Sequence, residues 1–179
     1  MADPLSQFWA PVCAVGSHGM NGPNAQICVS VFGASVVPDR PRLQVNVWKD
    51  NHTHDLVHES GTLAITVLAE SQVGLVERLG LISGRDGDKL ADTGFALTAS
   101  GDPYFPGGAA FIDCAVLTTF DLGDATGFLV AVRERRWLTD APPLTRARMH
   151  ELLGAEFAQK WEAKLGRSLG AYREQMVWG

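Results

Sequence analysis

Cysteine is scarce in this chain, positive charge does not dominate it, and long apolar runs are missing. The three cysteines, Cys13, Cys28 and Cys114, are well separated. An odd number without close pairs builds neither a disulfide framework nor a zinc site. They read as reduced thiols packed as small apolar groups, which suits a reducing compartment. The net charge of −5 argues against the clustered basic surface that nucleic acid requires. The short run Arg133, Arg135, Arg136 reads as a solvated strand edge. No segment approaches the about 20 apolar residues that cross a bilayer. The N-terminal stretch MADPLSQFWAPV lacks the basic and apolar regions of a signal peptide. The expected location is the cytoplasm, with no membrane and no nucleic acid among the partners. Internal repeats and low-complexity tracts are also missing.

What is present suits one domain: 179 residues, 46% hydrophobic and 20% charged, enough for a single sizeable core. Segment 42–48, RLQVNVW, alternates Leu43, Val45 and Val47 against polar neighbours, the period of a half-buried strand. Segment 62–68 puts Leu63, Ile65 and Val67 on one face. Segments 109–120 and 126–137 are two longer strands joined by a hairpin turn at Asp121-Leu122-Gly123-Asp124. Segments 11–16 and 26–37 are apolar and β-branched. About six strands with turns between them predict a barrel or sandwich. Residues 70–79 form a helix with Val73, Val76 and Leu79 on one face and Gly80 just past its end. A second helix follows Thr145 as N-cap. Its stripe of Met149, Leu153, Phe157, Trp161 and Leu165 recurs at every fourth position, with Gly166 beyond, and reads as a packing face. Pro142-Pro143 divides the chain into a barrel part, 1–141, and a helical extension of the same domain, 142–179. The segment 81–108 is long, rich in Gly and Asp, and weakly periodic, as functional loops often are.

Residues 46–61, NVWKDNHTHDLVHESG, hold His52, His54 and His58. His54 and His58 have the spacing of two zinc ligands on a helix, but no glutamate follows the first histidine, and Val57 stands in the way. No metal is expected. A strand ends near Trp48 and a short helix runs from His54 to Ser60, stopping at Gly61. Thr53 stands at the N-cap position. The free N–H groups of a helix start attract anions, and Lys49, Asn51, His52 and Thr53 fit such a site. Asp50 and Asp55 compete for the same positive end, so an ordinary capped helix stays open beside the anion site. Residues 21–35, NGPNAQICVSVFGAS, form a second candidate: small side chains let a ligand lie against the backbone. A buried strand with Ser30 and Ser35 bonded to backbone is the alternative there.

Together these pieces resemble the flavin reductase-like family, which has the FMN-binding split-barrel fold. PNAQICVSVFGASVVPDRPRL (23–43) is similar to the family's Pro-Asn, Ser-x-Phe and Asp-x-Pro segment. NHTHDLVHESGTLAITVL (51–68) resembles its Thr-His-Asp-Leu and Glu-Ser-Gly run, and SGRDGDKL (83–90) its Ser-Gly loop ending in Asp-Lys. The hairpin DLGDATGFLVAV (121–132) matches in outline. The resemblance spans about residues 10–137. It implies a mainly β (α+β) fold: a six-stranded antiparallel Greek-key split barrel with flanking helices and a C-terminal helix. It also implies a homodimer with FMN near the interface. By the same analogy Asn24, Ala25, Gln26, Ile27, Cys28, Val29 and Ser30 line the isoalloxazine, with Ser35 in the matching segment. Lys49, Asn51, His52, Thr53 and His54 hold the phosphate, and Lys89 approaches from another side. The implied activity takes hydride from NADH or NADPH and passes electrons to free flavin, a monooxygenase or another acceptor, with the cofactor carrying the chemistry. Two departures stand out: Ala125 occupies the position where family reductases often carry a histidine, and Cys28 lies in the flavin-lining run. Three alternatives remain: an FMN electron-transfer or partner module without nicotinamide activity, a split barrel holding haem, and a structural protein without a ligand.

Overall fold

Alternating β-branched segments make most of the chain sheet. In the computed structural model, which describes residues 11–176 apart from the side chains of residues 171, 174 and 175, the strands are β1 (Cys13–Gly19), β2 (Gly22–Cys28), β3 (Val31–Gly33), β4 (Arg42–Trp48), β5 (Thr62–Val67), β6 (Ala96–Leu97), β7 (Pro103–Tyr104), β8 (Ala110–Asp121) and β9 (Ala125–Trp137). Residues 1–10, with most of the stretch judged above for a leader, and 177–179 of the helical extension lie outside the described residues. Seven strands make one antiparallel sheet in the order β2-β1-β5-β8-β9-β4-β3, and β6 and β7 make a small ribbon inside the loop 81–108. The sheet has one strand more than expected because the run 26–37 breaks. Cys28 ends β2 on one rim, and β3 resumes at Val31 beside β4 on the other. One stretch of chain thus supplies both rims and curls the sheet into a split barrel. Asn46 donates its backbone N–H to Ser30 O at 3.0 Å across the seam.

The pleat sorts side chains to two cores. Cys13 and Val15 point into the barrel with Val45, Val47, Leu63, Ile65 and Phe128. Val12 and Ala14 face the other way, with Ala25, Ile27 and Leu68, against the helices. Burying each large apolar side chain stabilises by about 1.5–3 kcal/mol. All three thiols are buried and free, and burial pushes Cys28 up to about 11 and Cys114 up to about 12. The hairpin turns where the sequence says: Gly123 takes φ 88, and Asp121 Oδ1 accepts from its N–H at 2.8 Å. Arg133, Arg135 and Arg136 lie on the exposed end of β9 but are not merely solvated. Arg133 pairs with Asp113 at 2.7 Å, Arg135 reaches Pro38 O, and the Arg136 guanidinium sits 4.8 Å from the Phe111 ring centre.

α1 (His52–Ser60) stops at Gly61 in the left-handed conformation, φ 68, as predicted, but its N-cap is Asn51 rather than Thr53. The predicted helix 70–79 is divided into a 3-10 turn, Glu70–Gln72, and α2 (Gly74–Leu81), which carries Gly80 inside it rather than past its end. α3 (Arg146–Gln175) is capped by Thr145, whose hydroxyl accepts from Arg148 N at 3.2 Å. It runs beyond Gly166 and kinks at Gly154, where φ is 70 and ψ −168. Among the described residues, no helix is long and apolar enough to cross a membrane.

Candidate functional site

β2 is the outermost strand of its rim, and a groove of about 360 Å³ runs along that edge. Its barrel side is made by Gln26 to Ser30 and Trp48. Its helical side is made by Leu79 and Gly80 of α2 and by Phe157, Trp161 and Lys164 of α3. At one end it continues into a narrower recess of about 80 Å³, sharing Gln26, Trp48, Asn51 and Lys164 with it. The recess is walled by the start of α1 (Asn51, His52, Thr53), by Ser83 and Gly84, by Lys89, and by Lys164 and Ser168 of α3.

The local sequence explains this arrangement. Thr53 faces inward because its Oγ1 accepts from Asn24 Nδ2 at 2.8 Å, which ties α1 to β2. Gly84 must be small, since a Cβ there would lie 2.4 Å from Asn24 Oδ1. Arg85 clasps the helix start by donating to Asp50 O at 2.7 Å and to Asp55 Oδ2 at 2.6 Å. Burial would raise the Asp55 carboxyl, but hydrogen bonds with Arg85 and His54 hold it below its ordinary value. Asp55 is therefore occupied and does not fill the positive end of α1. His52 is held below its ordinary value by burial and by the Arg85 cation, which favours the neutral imidazole. Its Nδ1 is buried without a partner, as is Gln26 Oε1. Lys89 is 6% exposed, and burial, then the charge of Lys164, pull it down to about 8. Burial lowers Lys164 as well, followed by the charge of Arg167.

Of the predicted site residues, Gln26, Ile27, Cys28, Val29, Ser30, Asn51, His52, Thr53 and Lys89 meet at this groove and recess. The others do not line it. Asn24 supports Thr53 from behind. Ala25 is fully buried in the core beneath the helices. Ser35 is exposed and bonds within its own loop, to Arg40 O at 3.1 Å. Lys49 reaches the hairpin, where it pairs with Asp121 at 2.8 Å. His54 turns to the other side of α1, with Nε2 2.9 Å from Thr126 Oγ1 and its ring against His58 and Phe128. The two histidines of the apparent zinc pair thus pack on a core ring. Among the described residues, no three His, Cys, Asp or Glu side chains converge on a metal position. Sequence reasoning missed Trp48, the α2 residues Val76, Leu79 and Gly80, and everything α3 contributes, His150 included. The spacing Phe157, Trp161, Lys164, Ser168 puts these on one helix face, but which face meets the groove depends on the kink at Gly154.

The residues present fit a flavin mononucleotide. An apolar groove along a strand edge suits a flat ring and a cationic recess suits a phosphate; of the two unpartnered polar atoms, Gln26 Oε1 belongs to a residue lining both and His52 Nδ1 to one lining the recess. This is the class that fold and site define: an antiparallel split barrel whose ligand groove opens at its rim. A model of the flavin reductase like domain matches residues 5–150, and the chain belongs to that family. It is 30% identical over 131 residues to high molecular weight rubredoxin of Moorella thermoacetica, covering 72% of this chain but 56% of that protein, so the relative is much the longer. It is 26% identical over 130 residues to a flavin reductase of Pseudomonas putida, covering 73% and 74%. The structure of nitrilotriacetate monooxygenase component B from Mycobacterium thermoresistibile superposes with a TM-score of 0.68 at 25% identity, over 78% of this chain and 75% of that one.

Proposed function

We propose that the chain binds FMN in the groove of β2 and acts as an NAD(P)H-dependent flavin reductase, passing electrons to free flavin or a monooxygenase component. The observation that carries this is the continuity of the ring-sized groove with a recess holding Lys89, the start of α1, and the orphaned atoms Gln26 Oε1 and His52 Nδ1. Bound FMN supplies a two-electron hydride acceptor. The chain's own residues bind and orient. Lys89, Thr53 and the first N–H groups of α1 take the phosphate. The backbone of Gln26 to Ser30 and the Gln26 amide oxygen read the polar edge of the ring. Trp48 and the aromatic face of α3 keep water from it. The name of the Pseudomonas putida relative supports reductase chemistry, and that of the Mycobacterium thermoresistibile neighbour supports a monooxygenase as acceptor. A homodimer fits the exposed apolar side chains Leu117, Phe120 and Leu122 at the β8–β9 hairpin. Sedimentation of purified protein as a single monomer at micromolar concentration contradicts it.

A second reading keeps FMN but gives the chain no nicotinamide activity. It is favoured by Ala125, which stands opposite Trp48 in the β4–β9 register and offers no imidazole. Anaerobic titration separates the two. Protein loaded with FMN and bleached by NADH or NADPH supports the reductase. Loaded protein bleached by dithionite alone supports the electron-transfer module. Protein that retains no flavin, or shows a Soret band instead, overturns both.

A further inference from the structure

Lys164 lies on α3, fourteen residues past the end of the family match at residue 150. We infer that Lys164 is the second cation of the recess and, with Lys89, binds the phosphate monoester of the flavin, so that the part of α3 beyond the shared domain completes the cofactor site. The inference rests on the flavin reading above and adds to it a specificity-determining residue.

Both ammonium groups converge on one helix end. Lys89 Nζ donates to Leu79 O and Ile82 O at 3.1 Å each, and Lys164 Nζ donates to Gly80 O. A helix C-terminus carries about half a negative charge, so one lysine already exceeds what it can neutralise. Two leave a surplus of about 1.5 positive charges. Among the described residues neither lysine has a carboxylate at ion-pair distance; the lysine pairs are those of Lys49 and Lys160. Asp50 lines the recess but pairs with neither. Burial first, and then the nearby charge of Lys164, hold Lys89 below its ordinary value. A phosphate monoester carries about −1.5 to −2 at pH 7, which matches the surplus. Helix capping alone does not explain the second lysine.

The position of Lys164 is built. Gly80 admits α3 because it has no side chain: a Cβ there would lie 2.9 Å from Trp161 Cζ3. Phe157, 1% exposed, and Trp161 anchor the helix with ring centres 5.8 Å apart. Lys164 and Ser168 follow on the same face and both wall the recess.

The test compares FMN with riboflavin, which differ by the phosphate alone, in titrations of flavin fluorescence with full-length protein. Lys164→Met should weaken FMN binding roughly tenfold to a hundredfold, the loss of one charge-assisted contact, and weaken riboflavin binding far less. Lys164→Arg should restore most of the difference. A purely structural role for Lys164 weakens both ligands by the same factor. That outcome, or wild-type FMN affinity in Lys164→Met, overturns the inference while the flavin reading stands. Failure of wild-type protein to bind either ligand overturns the flavin reading and the inference with it.

Discussion

The Thr53 hydroxyl accepts from the buried Asn24 amide and also walls the recess, so one side chain serves both fold and ligand. Thr53→Ala should cost about 1–3 kcal/mol of stability by leaving Asn24 Nδ2 unpaired, read as a lower urea midpoint at unchanged slope. FMN affinity should fall with it, and Thr53→Ser should recover both. A wild-type midpoint in the alanine variant would show that Asn24 finds another partner. Lys89 makes a pH prediction. Its folded value of about 8 lies below the ordinary 10.5. Between those values the unfolded chain holds a proton that the folded chain has released. The stability of the ligand-free protein therefore rises across that window, and the burial penalty is fully present below it. Stability curves of wild type minus Lys89→Met should show this rise; a flat difference contradicts it. Phosphate binding needs the charged lysine, so FMN affinity should decline above about pH 8 while riboflavin affinity does not. At this scale the sequence was partly legible. Thr53, His52 and Lys89 stand in recognisable motifs. His54 and Lys49 do not follow from spacing, because His54 turns to the Phe128 ring and Lys49 is drawn to Asp121 of the hairpin.

α1 and α3 show how elements could be read without their placement. The end of α1 at Gly61 was legible because only a residue tolerant of positive φ suits that C-cap. Its start was not, because Thr53 turns inward to Asn24 and Asn51 takes the cap position. The apolar stripe of α3 was legible as a packing face, and Met149 and Phe157 are indeed buried. The kink at Gly154 that brings Trp161 and Lys164 to the groove left no periodic signal, since a glycine in a helical pattern often stays helical. The close approach of α3 to Gly80 can be broken directly. Gly80→Ala should push Trp161 outward at a cost of about 1–3 kcal/mol, seen as a shift of tryptophan emission to the red. Adding Trp161→Phe should recover part of the stability. Unchanged emission in the single variant would show that the two helices separate more easily than this contact implies.

At the scale of the whole molecule, the core beneath the helices, one of the two, crosses the boundary at Pro142-Pro143. Leu144 accepts from Val12 N at 2.9 Å and donates to Leu68 O at 2.7 Å, and Phe157 shares a cluster with Val12, Val76 and Leu79. Truncation after Pro143 should destabilise by several kcal/mol, given that losing one buried aromatic side chain alone costs about 3–5 kcal/mol. A truncated chain that melts at the wild-type temperature contradicts this. Strand alternation predicted a barrel or sandwich and the family resemblance the split barrel; the extra strand was not legible, because the break at Val29-Ser30 divides one β-rich run for reasons of closure.

That break leaves β2 with a strand partner on one side only, and an open strand rim invites other chains to pair with it. A flavin seated on Gln26 to Ser30, as proposed, would do the work of a missing neighbour strand. Cofactor loss is then a colloidal event as well as a chemical one: protein stripped of FMN should precipitate sooner on storage than the loaded form at equal concentration.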